Sequence, residues 1–129
     1  MYEEVRRRIL KEFERRISEF LGERPSWDMR SRSMEPLTNV VVARDEVLIT
    51  ADLPMADPQS LRVRPVGESQ VEIYARMRRR VDFSDLGMGH MRGCIECFFK
   101  LVEIPVSVDV GRMAVKFSRG ILEIRIPRK

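Results

Sequence analysis

Hydrophobic positions recur at two different periods along this chain, and the change of period divides it. From the start, Tyr2, Val5, Ile9, Phe13, Ile17, Phe20 and Leu21 follow one another mostly at steps of three and four, with Arg and Glu between them. That spacing predicts an amphipathic helix with a single apolar stripe. Glu4 with Arg8, and Glu12 with Arg16, are i,i+4 pairs in the favourable orientation. Gly22 and then Pro25 supply a stop. Residues 23–35 are polar and aperiodic, a linker in which Trp27 and Met29 stand out as apolar. The chain therefore divides into a helix with its linker over 1–35 and a second unit over 36–129.

From Pro36 the period falls to two. Leu37 to Arg44 and Val47 to Leu53 are runs rich in Val, Ile and Thr joined by Asp45-Glu46, and Val47, Ile49, Ala51 and Leu53 share a face. Pro54 to Pro58 is a loop, because two prolines exclude a ladder. Leu61 to Val66 and Gln70 to Met77 follow, the latter with Val71, Ile73, Ala75 and Met77 on one side. Residues 78–96 have weak pattern, and a connection that long in a tight β-domain usually has a task or is disordered. Cys97 to Glu103 and Val106 to Val110 read as strands divided by Pro105. Val115 and Phe117 then alternate with polar residues, Ser118-Arg119-Gly120 turns the chain, and Leu122, Ile124 and Ile126 resume the alternation until Pro127. About seven short strands at this spacing predict an all-β sandwich or barrel.

The closing run Phe117-x-x-Gly120-Ile-Leu-x-Ile-x-Ile-Pro127-x-Lys129 resembles the signature of the small heat-shock protein (α-crystallin) family. Ala51-Asp-Leu-Pro54 and the stretch from Phe98 to Pro105 resemble two further family motifs, in family order. Arg119 stands where the family usually has Asn, Val115 where it has Ala, and Lys100 where it has Arg. The resemblance, which is to the archaeal and bacterial type, implies an immunoglobulin-like β-sandwich (α-crystallin domain) preceded by the N-terminal amphipathic helix. It implies that the 78–96 loop carries a strand exchanged with a second subunit, giving a homodimer whose interface includes Leu86, Met88, His90 and Lys100. It also implies a groove between Leu61 and Val63 on one strand and Val115 and Phe117 on another, which accepts an Ile-x-Ile tail from a neighbour.

Composition adds less. Of 24 basic residues 20 are Arg, with one Asn and two Gln, a balance that leans towards a thermophile source against the eight Met. A net charge of +4 permits contact with nucleic acid but does not demand it. The Arg76 to Arg80 run has no interleaved aromatics, so pairing with Asp82 and Asp85 or with a partner chain is its expected use. No apolar run reaches the length of a membrane span, and the charged start is no signal peptide, which makes the cytoplasm the expected address.

Candidate chemistry is thin. Cys94 and Cys97 form a C-x-x-C with His90 four residues upstream, a spacing that zinc or redox chemistry uses, yet a fourth ligand is missing. Nothing places His90 beside a nucleophile, and no phosphate loop or nucleophile elbow is present. The expectation is a non-enzyme without a cofactor.

By resemblance, the chain is expected to be an ATP-independent holdase that binds partly unfolded proteins. Its helix either packs on its own domain or presents an open face to subunits and clients; the resemblance implies the second, with Ile9, Phe13, Ile17 and Phe20 as client contacts. A CS-domain-like co-chaperone adaptor is the alternative class, and a basic nucleic-acid-binding module a further one. Because Ile124-Arg125-Ile126 belongs to the closing strand and the sequence stops two residues after Pro127, its grooves are expected to be empty of its own tails. They would then be open to the tail of a different small heat-shock protein.

Overall fold

The computed structural model describes residues 2–19, 27–28, 31–82 and 94–129, with side chains described for 2–11 of the first segment. Among the described residues one α-helix, α1 (Tyr2–Glu19), precedes nine strands: β1 (Trp27–Asp28), β2 (Ser33–Met34), β3 (Leu37–Val42), β4 (Glu46–Asp52), β5 (Arg62–Val66), β6 (Gln70–Asp82), β7 (Cys94–Glu103), β8 (Ala114–Ser118) and β9 (Ile121–Pro127). They form a five-stranded sheet ordered β1-β2-β7-β6-β5 and a four-stranded sheet ordered β3-β4-β9-β8. This is the all-β sandwich that the period-two runs predict.

Register explains why the inner faces stay dry. Val47, Ile49 and Ala51 of β4 lie opposite Ile126, Ile124 and Leu122 of β9, so one apolar row runs across two strands. From the other sheet, Val71, Ile73 and Ala75 of β6 with Phe98 and Val102 of β7 complete the core. Each large side chain buried there stabilises the sandwich by roughly 1.5–3 kcal/mol. Leu122, Ile124 and Ile126 are fully buried, so the Ile-x-Ile they spell is core and not tail.

The β8–β9 hairpin turns through two residues with positive φ, Arg119 at 53° and Gly120 at 79°. That conformation matches the right-handed strand twist, and it suits Gly far better than Arg. The Gly120 carbonyl also accepts from Leu53 N at 2.8 Å, tying the turn to the end of β4.

Three segments depart from the sequence expectation. The 23–35 linker contributes β1 and β2, and Ser33 and Met34 pair in parallel with Cys97 and Phe98. The Arg32 carbonyl anchors this strap by accepting from Glu96 N at 2.8 Å. Second, β6 runs on to Asp82 and β7 starts at Cys94, so both ends of the 78–96 loop are strand. A register shift between Arg76 and Val81 leaves Arg78 to Arg80 exposed, and arginines at every position hid the alternation. Third, Val106 to Val110 is not a strand. Asp109 Oδ1 accepts from Gly111 N and opens a 3-10 turn over Val110–Arg112, leaving Val108 as a single bridge to Arg128.

Candidate functional site

The five-stranded sheet is apolar on its outer face as well. Alternation along β6 turns Glu72 and Tyr74 outward, opposite Leu101 and Phe99 of β7, and Cys97 lies on the same face. On the other side of β6, Arg64 and Arg62 of β5 lie opposite the same Glu72 and Tyr74. A sheet face open to water would carry polar residues here. Instead Tyr74, Cys97 and Phe99 are only 3–4% exposed, because α1 lies across them. Ile9 is buried in this cluster, with Tyr2, Val5, Leu10 and Leu101 around it.

The polar part of the contact is centred on Glu72, whose side chain is entirely buried. Arg6 Nε lies 2.8 Å from each carboxylate oxygen, and its hydrogen bond goes to Oε2. The Tyr2 hydroxyl donates to the same oxygen at 2.8 Å. Arg64 Nε stands 3.9 Å from Oε2, and Arg64 also pairs with Glu3 at 3.4 Å. Tyr2 is held between groups: its ring meets Tyr74 edge-on at 4.6 Å, and the guanidinium carbons of Arg62 and Arg64 lie 5.9 and 6.0 Å from its centre. Burial first, and then the bond to Glu72, push the Tyr2 phenol up to about 12. The hydrogen bond to Glu72 likewise raises Arg6 above its ordinary value. Burial raises Tyr74, and burial followed by Glu96 pushes the Cys97 thiol up to about 12.

The residues nominated from sequence fall in several places. Ile9 was expected on an open face and is instead buried against the chain's own sheet. The physical reason is that β6 and β7 offer it an apolar partner surface at no cost of association. The Phe13 and Ile17 side chains and Phe20 lie outside the described residues, as do Leu86, Met88 and His90. Lys100, expected between subunits, sits opposite Ile73 and donates through Nζ to Thr38 Oγ1 at 2.6 Å, linking the two sheets.

The four groove residues lie at sheet margins. β5 and β8 are edge strands of opposite sheets. Val63 is paired with Ile73, and Val115 and Phe117 with Ile124 and Leu122, so all three face inward at an unclosed edge. Leu61, Val63 and Phe117 pack against the core, whereas Val115 is 44% exposed. A cavity of about 380 Å³ opens at the end of β8, lined by Leu53, Pro54, Met55 and Phe117 among others.

Cys94 and Cys97 are both buried, and no disulfide joins them. Among the described residues no group of three or more His, Cys, Asp or Glu is placed to hold a metal ion. The basic run is exposed, with Arg76 paired to Asp57 at 3.4 Å and Arg80 to Asp82 at 3.7 Å. Among the described residues no helix is long and apolar enough to cross a membrane.

No protein-family model and no curated protein matches the chain. Solved structures do match. The Del-C4 mutant of hsp14.1 from Sulfolobus solfataricus P2 superposes with a TM-score of 0.61 at 21% identity, over 93% of this chain and 95% of that one. The fold is that of the small heat-shock proteins. Heat shock protein 16.0 from Schizosaccharomyces pombe gives a TM-score of 0.60 at 19% identity, over 85% of this chain and 88% of that one. A small heat-shock protein from Xylella fastidiosa gives 0.55 at 23% identity, over 73% and 85% of the two chains. Within this α-crystallin sandwich, β5 and β8 are the exposed inner edges and α1 is the cover of the outer face.

Sequence reasoning missed Glu72 and its surroundings. The signal was present: Cys97 to Val102 is apolar at five of six positions, the mark of a strand covered on both faces. Tyr2 and Arg6, one helical turn apart, were the complementary clue.

Proposed function

We propose that this chain is a small heat-shock protein acting in the cytoplasm as an ATP-independent holdase, binding partly unfolded proteins and keeping them from aggregating. The observation that carries the reading is the extent of the structural likeness. It takes in 93% of this chain and 95% of a small heat-shock protein. The Phe117 to Lys129 signature, which folds here into the β8–β9 hairpin, supports the same reading. Exposed sheet edges, and the apolar surfaces uncovered when α1 lifts from its own sheet, are the physical means by which such a protein would hold varied partners.

Its basic unit is a homodimer, with the loop around Leu86 to Arg92 adding a strand to the neighbour's sheet. The exposed edge strand β3 is a ready acceptor: Leu37 is 78%, Val41 47% and Val42 42% exposed. In this reading the inward-facing margin at Val63, Val115 and Phe117 receives an Ile-x-Ile tail from a neighbouring subunit. Two measurements test this reading. Solution mass against concentration should show dimers, and deletion of residues 84–93 should give monomers; an unchanged mass would exclude the loop as the interface. Heating with a model client and no nucleotide should yield soluble complexes on a sizing column.

A further inference from the structure

The face that α1 covers is shaped for one kind of helix. Its floor is Tyr74, Cys97, Phe99 and Leu101, and such a floor alone would accept any apolar segment. Glu72 changes that. Its side chain is wholly buried, and Oε1 makes no hydrogen bond among the described residues. A helix without a cation, laid on this face, would strip water from the carboxylate and leave it only the Arg64 guanidinium, 3.9 Å away. α1 meets the demand with Arg6. Beside the carboxylate, the guanidinium groups of Arg62 and Arg64 approach the Tyr2 ring at 5.9 and 6.0 Å, a slot that favours an aromatic ring over an aliphatic chain. A further cavity of about 280 Å³ adjoins Tyr2 and Tyr74, leaving room for a bulkier group. Tyr2, Arg6 and Ile9 stand at i, i+4 and i+7, so one helical face supplies aromatic, arginine and aliphatic contacts together.

We propose that this outer sheet face is a docking surface for amphipathic helical segments of client proteins that carry an arginine one turn after an aromatic residue, with α1 as its built-in competitor. The inference rests on the holdase reading for the source of its ligands and specifies which of them this face selects. Tethering gives α1 a high effective concentration, so clients engage the face in proportion to how far α1 is loosened.

The test uses the full-length chain and a fluorescein-labelled peptide with the sequence of residues 2–19 as probe. The peptide should bind, and bind more tightly to a chain carrying Ile9→Ser, whose own helix is loosened. A peptide carrying Arg6→Ala should bind about tenfold more weakly or worse. A chain carrying Glu72→Gln should no longer distinguish the two peptides. No binding, equal binding of the two peptides, or a preference that survives Glu72→Gln overturns the proposal. If the Ile9→Ser chain does not fold, the unmodified chain with excess peptide gives the same comparison. Failures separate cleanly. Suppressed client aggregation with no arginine preference contradicts this surface alone, whereas an arginine preference without suppression supports the surface and contradicts the holdase reading.

Discussion

Arg6 Nε donates to Glu72 Oε2 across 2.8 Å, joining the second turn of α1 to a strand residue 66 positions later. The carboxylate is fully buried, while Arg6 keeps 23% of its side chain in water. Removing one partner of such a pair costs about 3 kcal/mol, whereas replacing both with apolar residues is close to neutral. The loss is capped here by the docking energy of α1, since an undocked helix returns Glu72 to water. Arg6→Ala should therefore free the helix, and tryptic cleavage after Lys11 should accelerate by about tenfold or more. Arg6→Met with Glu72→Met should restore protection.

The tyrosines titrate late. The folded Tyr2 phenol lies at about 12 against an ordinary 10, so docking stability is full below pH 10 and is lost as pH rises through 12. Absorbance at 295 nm should show less tyrosinate at pH 10 in the folded chain than in urea, where the midpoint should be ordinary. Cys97 contributes over the window from 9 to about 12, so the comparison with Tyr2→Phe isolates the phenol. Ordinary titration of both tyrosines in the folded chain would contradict the docked arrangement.

Cys97 lies beneath α1 with Ile9 in the same cluster, and its raised pKa leaves almost no thiolate at neutral pH. In a chain with Cys94→Ser, reaction with a disulfide reagent should be slow. Adding Ile9→Ser should speed it by about tenfold, the ratio expected when a covering group of roughly 1.4 kcal/mol is withdrawn. Equal rates would show that the helix does not guard the thiol.

Arg119 holds a left-handed conformation at φ 53°. Replacing it with Gly or Asn should stabilise the β8–β9 hairpin by about 0.5–1 kcal/mol, seen as a higher urea midpoint with unchanged slope. Gly120→Ala, at φ 79°, should lose about 1–2 kcal/mol by the same reasoning.

The inner faces were legible because they obey a period of two: Val47, Ile49 and Ala51, Val71, Ile73 and Ala75, and Leu122, Ile124 and Ile126 all reach the core. The Ser118 to Gly120 turn was legible for the same local reason. What escaped was non-local. Glu72 reads as an ordinary outward residue until α1 is placed over it. Ser33 and Met34 read as linker until β7 is there to pair with them. The Arg78 to Arg80 segment conceals a continued strand because charge masks the pattern. Asp109 ended a run of valines by capping a turn, a competition between side chain and ladder that alternation alone does not reveal.

The central claim is tested most directly by light scattering from a heat-labile model protein held above its aggregation temperature, with and without this chain and with no nucleotide. The account predicts that scattering falls progressively as the chain is added, becomes negligible near equal mass, and is unaffected by ATP. Scattering that rises at the same rate with the folded chain in excess, or that is suppressed only when ATP is supplied, would contradict it.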